Sequence, residues 1–154
     1  SARRVAGRSR LMLYLDSSVL LADYLDQPQA PWARGVWSRR EELASSFLLL
    51  AEVPVVLRRA CAGTSRGAAR ALAARLLRFD EDALRISLLF DAAGVVETVR
   101  NDPRLAAART LDALHAAAAW RLNESSGGPV TVVTTDDHLA RVCRSLGLLA
   151  ETPA

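Results

Sequence analysis

Four acidic residues stand where apolar runs of this chain break. Asp16 ends the first run of "LYLDSSVLL", Glu52 lies inside "FLLLAEVPVV", Asp112 opens "LDALHAAAA", and Asp136 follows "VTVVTT" with Asp137 directly behind it. Carboxylates gathered at one point repel each other unless a cation neutralises them. An all-oxygen set suits Mg2+ or Mn2+, ions that keep several waters and take few protein ligands. Such ions can generate a nucleophilic hydroxide and stabilise both oxygens of an in-line phosphodiester displacement. Each acid taken alone has a plainer reading. An aspartate after a strand is commonly a turn or cap residue. Asp112 can favour a helix N-terminus through the dipole, and Asp136 and Asp137 can cap the helix that follows. The metal reading gains weight only if the fold brings all four to one rim.

The elements that would do so can be traced along the chain. "LMLYL", residues 11–15, is short, continuous and apolar, the pattern of a buried strand. Ser17 or Ser18 can cap the helix after it, which Pro28 and Pro31 end. Residues 32–41 are expected as a second helix and Leu43 to Ser46 as a second strand. A helix follows from residue 47 with Pro54 inside it, and residues 65–79 form an arginine–alanine–leucine helix. Leu84 to Phe90 is the third strand candidate, followed by a helix over 92–101. Thr110, as cap, opens a helix to Leu122. Val130 to Thr135 is a β-branched buried strand, then a helix closed by Gly147, then "LLAE" as a last edge strand. Strands alternating with helices predict an α/β fold, with a central parallel sheet of four to five strands flanked by helices. Ligands of such sheets bind at the carboxyl ends of the strands. Asp16, Glu52, Asp112 and Asp136 all fall at or near that edge.

Composition narrows the chemistry further. The chain has 154 residues, 51% of them apolar, which fits one domain with a real core; residues 1–11 read as an N-terminal arm and 12–154 as the domain. No apolar run is long enough to span a bilayer. All twenty basic residues are arginine. Without lysine there is neither a P-loop nor Schiff-base chemistry. A haloacid-type phosphohydrolase is disfavoured too, since its second aspartate position is Ser18 here. Arginines gather at positions 3, 4, 8 and 10 and again from Arg58 to Arg78. They suit phosphate-bearing partners, or equally a solvated helix face. Cys61 and Cys143 are isolated and are expected as free thiols in a reducing cytosol. His115, three residues after Asp112, shares its helix face and is expected to be a buried hydrogen-bonding residue rather than a ligand. His138 is expected at the surface, and two histidines so separated support no zinc site.

The four acidic motifs, in their order and spacing, resemble the PIN-domain ribonucleases, most closely the VapC toxins of bacterial VapBC toxin–antitoxin modules. The resemblance runs from Met12 over nearly the whole chain. It rests on "YLDSSVLLA", "SSFLLLAEVPVVLRR", "TLDALHAAAA" and "VVTTDDHLA". It implies that Asp16, Glu52, Asp112 and Asp136 hold Mg2+ or Mn2+ for RNA hydrolysis. It also implies that Thr134 supports the site and that Ser18 supplies a small hydroxyl beside Asp16. A cytoplasmic homodimer neutralised by a VapB antitoxin, acting on transfer or ribosomal RNA, would follow. The alternative is a catalytically weak PIN-like module that binds nucleic acid or protein. Pro54 departs from the pattern and puts the placement of Glu52 in question. Asp137 is expected to cap its helix rather than bind metal.

Overall fold

The computed structural model describes residues 11–154, so the arm over residues 1–11, Leu11 apart, and the arginines at 3, 4, 8 and 10 lie outside the described residues. The chain runs β1 (Met12–Leu15), α1 (Ser17–Tyr24), α2 (Ala30–Trp37), β2 (Glu42–Ser46), α3 (Leu49–Ala60), α4 (Arg66–Ala83), β3 (Ser87–Leu89) and α5 (Ala92–Asn101). A 3-10 turn at Pro103–Leu105 leads into α6 (Thr110–Ser125), β4 (Val130–Val133), α7 (Asp137–Ser145) and β5 (Leu149–Glu151). The five strands form one parallel sheet in the order β3-β2-β1-β4-β5. From β1 the chain winds outward through β2 and β3, then returns to lay β4 on the other side of β1. The winding therefore reverses between β1 and β4, which opens a crevice at the carboxyl ends of those two strands.

Side chains of β1 alternate between the two faces of the sheet. Leu13 and Leu15 pack with Val19, Leu20, Leu49, Val53 and Leu57 in one core cluster, under α1 to α4. Tyr14 joins Val95, Val132, Leu139 and the alanines of α6 in the other. The run Ala116–Ala119 is fully buried. Alanine is the best helix former, and its small side chain lets α6 lie close against the sheet.

Several boundaries differ from the sequence expectation. The helix expected over 32–41 ends at Trp37, and the third strand shrinks from 84–90 to Ser87–Leu89 because α4 runs on to Ala83. Pro54 leaves α3 unbroken. It is the sixth residue of that helix, past the unpaired first turn, so the helix carries on without the one bond that an amide there would make to the Leu50 carbonyl. Gly147, at φ +81, closes α7 as expected, with its amide on the Arg144 carbonyl.

The arginine-rich helix serves the fold as much as any ligand. Arg78 pairs with buried Asp23 and lies over the Tyr24 ring, while Arg75 donates to the Tyr24 carbonyl. These contacts hold α4 to the far end of α1, roughly 12 Å along its axis from Asp16. Arg75 and Arg78 are therefore structural rather than phosphate-facing. No helix among the described residues is long and apolar enough to cross a membrane. Both cysteines are free thiols, and burial pushes that of Cys143 up to about 12.

A backbone constraint lies at α5. Asp91 caps this helix by accepting from the Gly94 amide at 3.0 Å, and Arg121 of α6 donates through Nε to the same carboxylate at 2.7 Å. A Cβ on Gly94 would meet the Arg121 guanidinium and the Asp91 carboxylate at 2.3 Å. Gly94→Ala is expected to part these two flexible side-chain ends, a loss that alanine's higher helix propensity offsets. A thermal melt should therefore register a change of no more than roughly 2 °C in either direction.

Candidate functional site

Asp16 leaves β1 and becomes the N-cap of α1 itself, so neither Ser17 nor Ser18 is the cap. Its Oδ2 accepts from the Ser18 hydroxyl at 2.6 Å and the Thr134 hydroxyl at 2.8 Å. The two hydroxyls lie 3.2 Å apart, the Thr135 amide donates to Ser18 Oγ, and the Asp136 amide donates to Thr134 Oγ1. Ser18 and Thr134 thus stitch the end of β1 to the end of β4 across the crevice. Asp16 is buried, as is Thr134.

Glu52, in the first turn of α3, finds the partner its apolar surroundings require. It accepts from Ser17 Oγ at 3.3 Å and makes a short contact to His115 Nε2. His115 Nδ1 meets the buried Tyr14 hydroxyl at 2.8 Å. Burial opposes a charge on His115. The hydrogen bond to Glu52 and the nearby charges of Asp16, Glu52 and Asp112 outweigh it, so its pKa is raised. His115 is therefore the buried hydrogen-bonding residue expected, and it sets the orientation of Glu52.

Asp112 sits in the first turn of α6, and Asp136 is the N-cap of α7. Asp136 Oδ1 accepts from the amides of His138 at 2.8 Å and Leu139 at 3.3 Å. Partial burial would raise its pKa, but those amides and Arg109 hold it below the ordinary carboxylate range. This corrects the capping assignment: Asp136 caps α7, and Asp137 is its exposed first residue. Similarly, Arg109 and not Thr110 occupies the N-cap position of α6.

Arg109 is the residue the sequence reading missed. Its Nε donates to Asp112 Oδ2 and its Nη2 to Asp136 Oδ2, each at 2.8 Å. The three-residue spacing to Asp112 is a visible i,i+3 signal. The pairing with Asp136 is not, because it joins two different helices. His138 also departs from expectation. It is partly buried, with Nε2 3.7 Å from Asp112 Oδ2 and lacking a hydrogen-bond partner.

Together Asp16, Ser17, Ser18, Glu52, Arg109, Leu111, Asp112, His115 and Asp136 line one cleft of about 390 Å3 at the crevice between β1 and β4. The sequence model of the PIN domain matches residues 13–145, a span holding all four acids. The chain belongs to the PIN-domain family. PIN domains are nucleases. Solved structures share the fold at low identity. VapBC2 from Rickettsia felis, bound to a DNA fragment from its promoter, is 16% identical at a TM-score of 0.62, covering 92% of this chain and 98% of that one. VapBC-1 from nontypeable Haemophilus influenzae is 14% identical at 0.59, covering 92% and 97%. A Pyrobaculum aerophilum protein is 22% identical at 0.51, covering 91% and 90%. No curated protein matches the chain.

Does this PIN domain suit a divalent metal? Among the described residues no three histidine, cysteine, aspartate or glutamate groups form a ready-made cage. Mg2+ needs none, since it is commonly held through one or two carboxylates and keeps waters. The donor set is all oxygen: four carboxylates line the cleft against one guanidinium, so acid outnumbers fixed base there, as a hard cation requires. The residues present therefore suit such an ion.

Proposed function

We propose that this PIN domain is a Mg2+- or Mn2+-dependent endoribonuclease, the toxin of a VapBC-type toxin–antitoxin pair that inhibits translation by cutting RNA. The observation that carries the reading is the convergence of Asp16, Glu52, Asp112 and Asp136, from four separate elements, on one cleft at the sheet's switch point. In this reading the four carboxylates would hold the metal, directly or through the waters it keeps, and it would supply an activated water and charge stabilisation for phosphodiester hydrolysis. The protein's own groups do the positioning. Ser18 and Thr134 fix the Asp16 carboxylate by two hydroxyl bonds, and His115 fixes Glu52. The Asp136 carboxylate is aimed by the α7 amides it accepts from.

The substrate is single-stranded or looped RNA, whose bases can be splayed to reach a cleft of this size. Transfer and ribosomal RNA both offer such loops. The likeness to VapBC structures supports a VapB-type antitoxin as partner; homodimerisation and action in the cytoplasm belong to the same reading through the family resemblance alone. A disordered antitoxin segment could wrap the cleft, covering much surface at an ordering cost.

A second reading is a catalytically weak PIN module that binds nucleic acid or protein. The observation in its favour is that Arg109 and His115 already occupy three of the four acids. Incubating the full chain with loop-containing RNA separates the two. Cleavage should need Mg2+ or Mn2+ and stop with excess chelator. Activity that survives the chelator would contradict the metal, and RNA binding without cleavage at any metal concentration would favour the module.

A further inference from the structure

Arg109 stands where a helix least favours it. The N-cap position usually carries Ser, Thr, Asp or Asn, and α6 has no side-chain cap there. A positive charge at that end also faces the positive pole of the helix dipole. What holds the side chain is the bridge to Asp112 and Asp136, at 2.8 Å each, which ties the start of α6 to the start of α7. The side chain is nonetheless 66% exposed. A residue that violates local preference and is held only by the acids of the cleft belongs to the cleft's chemistry.

We propose that Arg109 is an exchangeable cation: it neutralises Asp112 and Asp136 in the metal-free protein, gives way when a divalent ion enters, and so sets the concentration at which the site loads. The inference rests on the metal-site reading above. Two cations on one pair of carboxylates repel each other, so the arginine and the metal compete. Asp136 cannot turn away to settle the conflict, because its Oδ1 is committed to the His138 and Leu139 amides. Asp112 is buried in the first turn of α6. The long, solvent-exposed arginine is the partner free to move. Once displaced it stays at the mouth of the cleft with a planar fork of donors, the geometry that grips phosphate oxygens. Metal loading then releases the group that meets the RNA backbone.

The test is Mn2+ binding to the full chain, read from the electron paramagnetic resonance of free Mn2+, for the wild type, Arg109→Gln and Arg109→Lys. Arg109→Gln should bind Mn2+ about three- to tenfold more tightly, the scale set by two ion pairs made by an exposed arginine. Arg109→Lys should fall between, since one ammonium cannot bridge two carboxylates as the fork does. Without metal, Arg109→Gln should melt lower than the wild type and gain more from added Mn2+. Unchanged or weaker Mn2+ binding in Arg109→Gln overturns the exchange, and so does a failure of all three proteins to bind Mn2+. RNA cleavage on the same samples keeps the two readings apart. Tighter Mn2+ binding with no cleavage by any sample leaves the exchange standing and sinks the ribonuclease. Cleavage by the wild type with no change of Mn2+ affinity in Arg109→Gln does the reverse.

Discussion

Asp16→Asn is expected to lower metal-dependent RNA cleavage by about a thousandfold while leaving the fold intact, on the several kcal/mol that metal-borne charge stabilisation supplies. Asparagine is as good an N-cap as aspartate. Its amide oxygen can take the place of Oδ2 and keep the bonds from Ser18 and Thr134. The substitution removes charge alone, and from a buried position among three other acids. Relief of carboxylate repulsion should leave the metal-free melting temperature unchanged or raise it. The measurement is a cleavage rate at saturating Mn2+ beside a thermal melt in chelator. Cleavage at the wild-type rate would remove Asp16 from the site. Lost cleavage with a melt many degrees lower would mean that the carboxylate serves the fold.

The sheet was legible because its strands advertise themselves. "LMLYL" and "VTVVTT" are continuous apolar or β-branched runs, as strands buried on both faces must be. Their ends deliver Asp16 and Asp136 to the carboxyl edge of the sheet, while the order β3-β2-β1-β4-β5, which makes a crevice of that edge, is visible only in the structure. Element ends were less legible. Leu84, Arg85 and Ile86 suit a strand by type, yet they turn the chain between α4 and β3. That choice is made by tertiary packing and not by propensity.

Within the site, sequence revealed the acids but not what neutralises them. Tyr14 and His115 meet across 101 positions, and Arg109 meets Asp136 across 27. No periodicity reports such pairs. Three of the local errors were of one kind, a cap displaced by one or two residues: Asp16 for Ser17 or Ser18, Arg109 for Thr110, Asp136 for Asp137. A cap is defined by its own backbone angle and by the amides it reaches. Asp136 and Asp137 share a side chain, so only the point where the chain enters α7 distinguishes them.

That one-residue difference has measurable consequences. Asp136 does two jobs with two oxygens: Oδ1 caps α7, and Oδ2 faces Arg109 on the cleft. Asp136→Ala should therefore fail in both respects. Loss of the cap costs about 0.5–2 kcal/mol. In a chain of this length that is a fall in melting temperature of roughly 1–8 °C. If the carboxylate also helps hold the metal, cleavage falls by about tenfold or more in the same variant. Asp136→Asn divides the two jobs, since asparagine caps as well as aspartate. It should melt near the wild type and still cleave poorly. Asp137 is exposed and serves neither job in the structure. Its negative charge in the first turn of α7 favours the helix dipole by only about 0.3–1 kcal/mol. Asp137→Ala should thus melt slightly lower and cleave at nearly the wild-type rate. Melts and cleavage rates on all three variants decide the matter. Wild-type cleavage by Asp136→Asn, with strong loss in Asp137→Ala, would shift the active carboxylate by one position and move the whole end of β4 with it.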